Sequence, residues 1–176
     1  EEITFKNYFT NRNNAGYSLI EMLIYISLLT VFSVTMIYSI TSFSSSYRNL
    51  LALRVVDNSA IDSMERMTRD IRSASSINLS ASTLGSTPGV LTLVSTNGGN
   101  STTTKFYIDN GVLKVDINGT YFGPISASGS SVTSLTFNKV VSGPTSAVKI
   151  DMTVQSSVGT VTKSKTFHST IILRGA

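Results

Sequence analysis

The sequence predicts an α+β fold in which a long N-terminal helix, membrane-spanning in its first half and amphipathic in its second, packs on an antiparallel β-sheet. Three observations carry that prediction. An uncharged apolar run extends from Met22 to Ile40, apolar residues recur at spacings of three and four from Leu53 to Ala74, and β-branched segments alternate with Gly, Asn, Ser and Pro through the second half. The length of 176 residues suits one folded domain plus accessory segments.

Composition narrows the function classes. Hydrophobic residues make up 41% of the chain and charged residues only 14%, and the apolar ones crowd between Leu19 and Ile40. Mean hydropathy is +0.17, high for a water-soluble protein. There is no Cys, so neither a disulfide framework nor a thiolate metal site is available. The net charge of +4 comes partly from Arg66, Arg69 and Arg72 and from Lys163 and Lys165. That density is below the basic stripe of a nucleic-acid-binding surface, and nucleic acid is not an expected partner. The sequence begins with Glu1 and not Met, leaving room for preceding residues.

The first element is the run Met22–Ile40, which contains no charge, Pro or Gly. At ~1.5 Å per residue it spans roughly 29 Å, about one hydrocarbon core. Ser27, Thr30, Ser33, Thr35 and Ser39 interrupt it. Their hydroxyls can bond back to helix carbonyls, and small residues suit helix packing in lipid. A secretory signal has a shorter apolar region followed by a small-residue cleavage site, and a soluble core helix keeps a polar face. A single-pass anchor explains the run better than either. It leaves Glu21 unexplained.

Glu21 stands at the start of this run, between Ser18-Leu19-Ile20 and Met22-Leu23-Ile24. A carboxylate within a membrane helix costs ~2.5–3.5 kcal/mol at the centre and less near the end, so it needs a partner or a function. Taken alone, it is equally well explained as an interfacial residue reaching the headgroups. The segment Ala15-Gly16-Tyr17-Ser18-Leu19-Ile20-Glu21-Met22-Leu23-Ile24 resembles the class III signal of type IV pilins and pseudopilins: a polar leader ending in Gly, an aromatic residue, a small hydroxyl residue, Leu-Ile-Glu, then an apolar run. The resemblance implies peptidase cleavage between Gly16 and Tyr17, N-methylation of Tyr17, and an assembly role for Glu21 as the fifth mature residue. Tyr17 departs from the family's usual Phe but keeps an aromatic ring. Gly16 has no side chain to obstruct a membrane peptidase. The amine freed at Tyr17 is a cation at the membrane edge, and Glu21 of an adjacent subunit is a plausible counter-charge in a low dielectric.

After Phe43 the pattern turns amphipathic. Leu53, Val56, Ala60, Met64, Met67, Ile71 and Ala74 form a stripe expected to dock on the sheet, with Asp57, Asp62, Glu65, Arg66, Arg69, Asp70 and Arg72 on the other face. Asp62–Arg66 and Glu65–Arg69 are expected i,i+4 pairs with the acid first, contributing about 0.2–0.5 kcal/mol each. No Pro separates Tyr17 from Ser76, so one helix of up to ~60 residues is allowed, with Ser42–Ser46 its weakest stretch. Asp62–Ala74 also resembles the corresponding helix of J-type minor pseudopilins and W-type minor pilins.

Strands are expected over Val90–Val94, Thr103–Ile108, Val112–Ile117, Val132–Phe137, Val148–Val154 and Val161–Leu173. Asp109-Asn110-Gly111 is a hairpin signal, Asn118-Gly119 a second turn, and Ser80–Gly89 and Gly123–Ser131 read as loops. A helix followed by strands matches the pilin-like plan. Phe106–Leu113 and the closing Ile172-Leu173-Arg174 again resemble the J/W group.

No catalytic constellation emerges. His168, the one histidine, lies in a Ser/Thr-rich strand without the partners of a triad. Asp109-Asn110-Gly111 is too short for a calcium loop, and Gly98-Gly99 lacks the Lys-Ser/Thr of a phosphate loop. Asn78, Asn100 and Asn118 match a glycosylation triplet that any Ser/Thr-rich chain will contain. The expectation is therefore a non-enzymatic structural subunit of a type IV pilus or type II secretion pseudopilus, with no cofactor or metal. The expected organisation is a cytoplasmic leader over 1–16, a transmembrane helix over 17–43, its amphipathic continuation over 44–76 and a β-rich domain over 77–176 outside the cytoplasm. Its partners would be the prepilin peptidase, other pilin or pseudopilin subunits and an inner-membrane assembly platform. A minor or tip subunit whose β domain binds a secreted protein, DNA or a surface is the alternative. Residues alone do not separate pilus, pseudopilus and competence systems.

Overall fold

The computed structural model describes residues 16, 18–142 and 145–174. One helix, α1 (Leu19–Ser73), is followed by eight strands: β1 (Ser76–Ile77), β2 (Leu91–Asn97), β3 (Asn100–Asp109), β4 (Val112–Ile117), β5 (Thr120–Pro124), β6 (Ser130–Ser142), β7 (Thr145–Val158) and β8 (Val161–Ile172). The chain divides into two compact units, Glu1–Phe43 and Ser44–Ala176. Helical structure is uninterrupted through Ser42–Ser46, the stretch expected to be weakest.

In the first unit every residue from Met22 to Phe43 is exposed. Leu23, Ile26, Leu29, Phe32, Ile37 and Ile40 each keep more than half of their surface open. This helix is long and apolar enough to cross a membrane. Four of the five expected hydroxyl back-bonds are present among the described residues, that of Ser33 being the exception: Ser27 donates to the Ile24 carbonyl at 2.8 Å, Thr30 to Ile26 at 2.7 Å, Thr35 to Phe32 at 2.8 Å and Ser39 to Thr35 at 2.9 Å. Each of these four hydroxyl protons thereby finds an acceptor within its own helix.

The second unit is the α+β domain, and its strands make two antiparallel sheets where one was expected. One has the order β1-β2-β3-β4-β5 and the other β6-β7-β8. Both have each strand beside its chain neighbour. The break falls between β5 and β6, where the segment from Ile125 to Ser130 is tied to α1. Ser59 Oγ accepts the Ala127 N–H at 3.0 Å and lies 2.7 Å from the Ser130 hydroxyl. The Ser63 hydroxyl donates to the Ile125 carbonyl at 3.1 Å. Backbone bonds from Val132 N–H to the Gly111 carbonyl (2.8 Å) and from Gly89 N–H to the Leu135 carbonyl (2.7 Å) join β6 to the first sheet's turn and to the loop before β2.

These ties change the helix face that is buried. Ala52, Val56, Ser59, Ala60, Ser63, Met67 and Ile71 are inside, whereas Leu53 and Met64 of the expected stripe are only partly covered. Small residues let the loop backbone approach the helix, and the two serines bond with it instead of leaving its polar groups unpaired. Around this face Phe106, Leu113 and Val115 of the first sheet and Leu135, Phe137, Ile150, Met152 and Val154 of the second form one core. Each such side chain contributes about 1.5–3 kcal/mol on burial.

Other departures have local causes. The helix expected to reach Ser76 stops at Ser73, because the Ser75 N–H is taken by the Val94 carbonyl at 2.8 Å as the chain enters β1. Arg66 pairs with Asp70 at 2.8 Å, not with Asp62, and its guanidinium lies 5.4 Å from the centre of the Phe122 ring. Asp70 is partly buried while Asp62 is exposed, and a carboxylate with less water gains more from a cation. Glu65–Arg69 is not among the ion pairs of the described residues.

Asn110-Gly111 makes the expected two-residue turn, with φ of 51° and 76°, and Asn118-Gly119 repeats it with 52° and 77°. The second turn leads into β5, a strand absent from the expected set. Its Gly-Pro ending reads as loop, yet Pro124 sits opposite Lys114 at the sheet edge, where a missing N–H is tolerated. Asn78, one of the glycosylation matches, caps a short 3-10 turn by accepting the Ala81 N–H at 3.3 Å.

A chain truncated to begin at Ser46 is expected to fold as a water-soluble α+β monomer, since the core draws nothing from residues before it. Circular dichroism and size-exclusion chromatography check this. Insoluble or unfolded material from several neighbouring truncation points would show that the β half depends on the anchor or a partner.

Candidate functional site

The residues singled out from the sequence cluster at the N-terminal end of α1. The leader before Gly16, and Tyr17 itself, lie outside the described residues. Gly16 is exposed, and a Cβ built on it would meet nothing within 4 Å. Its φ is not in the left-handed region, so neither backbone strain nor, among the described residues, a lack of space requires glycine there.

Ser18 starts the helix: its carbonyl accepts from the Glu21 N–H at 3.0 Å and the Met22 N–H at 3.1 Å. Glu21 is the acidic residue of the first turn, where the unpaired N–H groups and the helix dipole favour negative charge. Ser18-Leu19-Ile20-Glu21 has the spacing of a capping box, in which the glutamate would reach back to the start of the helix. In the structure its carboxylate turns the other way. Tyr25, one turn further on, donates its hydroxyl to Glu21 Oε1 at 2.9 Å. Reading the sequence for charge alone misses Tyr25. The signal was its i,i+4 spacing from Glu21. The arrangement is a partly exposed carboxylate at the head of a bare apolar helix, with one oxygen held by a hydroxyl of the same chain.

The other polar side chains set aside in the sequence sit in surface pairs of the β domain. His168 Nδ1 lies 2.5 Å from Asp151 Oδ1 across the β7–β8 ladder, and Lys149 lies 3.3 Å from the same carboxylate. The hydrogen bond to His168, assisted by Lys149, holds the Asp151 carboxyl below its ordinary value. Asp109 accepts from Lys114 at 2.6 Å, and that bond raises the lysine's pKa. Tyr107 donates to Asp116 at 3.0 Å; partial burial and then this bond push its hydroxyl up. Lys105 and Lys114 lie 5.2 and 5.5 Å from the Tyr107 and Tyr121 ring centres. Each pair has the partners of an ordinary cross-strand or turn contact.

Comparison with known proteins bears on the N-terminal segment alone. Residues 11–37 match the family model of the prokaryotic N-terminal methylation motif, which brackets Gly16, Tyr17, Glu21 and most of the apolar run Met22–Ile40. No curated protein and no solved structure matches the chain.

Proposed function

We propose, on the premise that this chain carries the N-terminal methylation motif and long apolar helix of a type IV prepilin-like protein, that it is a structural subunit of a type IV pilus or type II secretion pseudopilus. It is cut after Gly16, methylated at the amine of Tyr17 and assembled through α1. The observation that carries this reading is the order of features: the glycine junction lies just before the helix, and an acidic residue follows in the helix's first turn. A signal peptide would place its cleavage site after the apolar run.

In this reading residues 1–16 stay in the cytoplasm with the peptidase, 17–43 hold the subunit in the inner membrane, and the α+β domain lies outside the cytoplasm. The exposed apolar surface of Met22–Phe43 has two coverings, lipid before assembly and neighbouring helices after it. An assembly platform would move the subunit from the first to the second. The open space around Gly16 supports a constraint from the peptidase, because the described residues impose none.

Intact-mass measurement on membrane-extracted protein tests the processing. The expected mass is that of a chain beginning at Tyr17 with one added methyl group. A chain that retains residues 1–16 in a host with active prepilin peptidase would remove the basis of the assignment.

A further inference from the structure

We infer that Tyr25 is a positioning residue for assembly: its hydroxyl holds one oxygen of the Glu21 carboxylate so that the other is presented to the cationic amine of a neighbouring subunit. This rests on the proposed function, together with the assembly role that the family resemblance implies for Glu21. The hydroxyl lies 2.9 Å from Oε1, one helical turn away on the same face, and no contact from another element is needed to make the bond. Around the pair the surface is apolar. Leu28, Leu29 and Phe32 are all more than half exposed further along the helix.

A glutamate side chain has three rotatable bonds, and docking on a cation must stop them. Fixing a rotamer-rich side chain at an interface costs about 0.5–1.5 kcal/mol, and pre-orientation removes that cost before the partner arrives. At the edge of the hydrocarbon region water competes less for the carboxylate than in bulk solution, so a hydroxyl at hydrogen-bond distance is well placed to orient it. A carboxylate accepts through both oxygens, so the Tyr25 bond to Oε1 can persist while Oε2 meets the amine. Loss of the hydroxyl therefore weakens solvation of Glu21 in free and docked states alike, whereas loss of orientation is felt only on docking.

The test is a double-mutant cycle in the full chain, expressed with its assembly machinery, using Tyr25→Phe and Glu21→Gln. Filament-bound and membrane-bound mature protein are quantified, and the 13C carboxyl resonance of Glu21 is recorded for the wild-type and Tyr25→Phe chains in lipid bicelles. Tyr25→Phe keeps the ring and removes only the donor. It should shift the Glu21 resonance, leave cleavage at the wild-type level and lower the filament-bound fraction about three- to tenfold, the range for one charge-assisted hydrogen bond spent partly on orientation. In the Glu21→Gln background the same change should add nothing.

An unmoved resonance, or an equal loss in both backgrounds, would overturn the inference, the second outcome marking Tyr25 as a packing residue. A shifted resonance with unchanged incorporation would also overturn it, while a defect in Glu21→Gln alone would leave the proposed function standing. Normal incorporation of both single variants would bring down the assembly role of Glu21 and the inference with it.

Discussion

Gly16→Val is expected to block maturation almost completely, leaving full-length protein in the membrane with an intact α+β domain. A Cβ added at this position meets nothing within 4 Å among the described residues, and the backbone there is not left-handed. The substitution therefore carries no folding penalty of the kind that complicates most glycine variants. In the proposed processing its effect would fall on the encounter with the peptidase, which would have to bring catalytic groups against the carbonyl of residue 16. A branched side chain next to that carbonyl displaces the scissile bond. A misplacement on the order of 1 Å can cost ~100-fold in rate. Gly16→Ala, with one methyl group and no branch, should be processed at an intermediate rate. The ratio of full-length to mature chain in membrane fractions, read by mass spectrometry at several times after induction, gives both rates. Wild-type processing of the valine variant would place the cleavage site elsewhere and move the first mature residue away from Tyr17.

What was legible in the sequence is what depends on neighbours along the chain. The methylation motif is a local pattern, and so are the apolar run, the hydroxyl back-bonds and the Asn-Gly turns. The broad α+β architecture followed from the change from a helical stripe to β-branched segments bounded by Gly, Asn, Ser and Pro. The parts that escaped depend on what lies across the fold. Ser59 and Ser63 lie outside the expected apolar stripe, and their part in the fold appears only where the Ile125–Ser130 segment lies against them. The division into two sheets follows from the same contact, which no spacing in the sequence encodes. Arg66 chooses Asp70 over Asp62 because burial, and not helical spacing, distinguishes the two carboxylates. β5 was hidden because Gly123 and Pro124 are loop formers by propensity, and only the register against Lys114 and Val115 makes them strand. Within the candidate site, Glu21 stood out because a charge in an apolar run is conspicuous. Tyr25 did not, since an amphipathic ring at a membrane edge is expected whether or not it bonds a carboxylate.

Glu21→Ala should leave cleavage and membrane insertion unchanged and lower the filament-bound fraction of mature protein at least about tenfold. An isolated subunit keeps this carboxylate at the head of a lipid-exposed helix, with the helix dipole and the Tyr25 hydroxyl as its observed support. Neither supplies a full positive charge. In the proposed assembly the amine of Tyr17 on a neighbour would supply one only after docking, so the pair would favour the assembled state and set the axial register between adjacent helices. Removing the carboxylate also makes the free subunit more at ease in lipid. Both effects act against extraction into the filament. Breaking one side of a buried ion pair costs about 3–5 kcal/mol, and a pair near the membrane interface costs less. A loss of only ~1.4 kcal/mol already changes the equilibrium tenfold. Shearing or crosslinking followed by quantification of filament-bound protein reads the effect, with mature protein monitored in the same samples. The assay must be repeated with the matching glutamate of the neighbouring subunits altered, because a minor subunit can be recruited by partners that tolerate the loss in one chain. Normal incorporation in both settings, at wild-type levels of mature protein, would reduce Glu21 to an interfacial residue that reaches the headgroups and has no part in assembly.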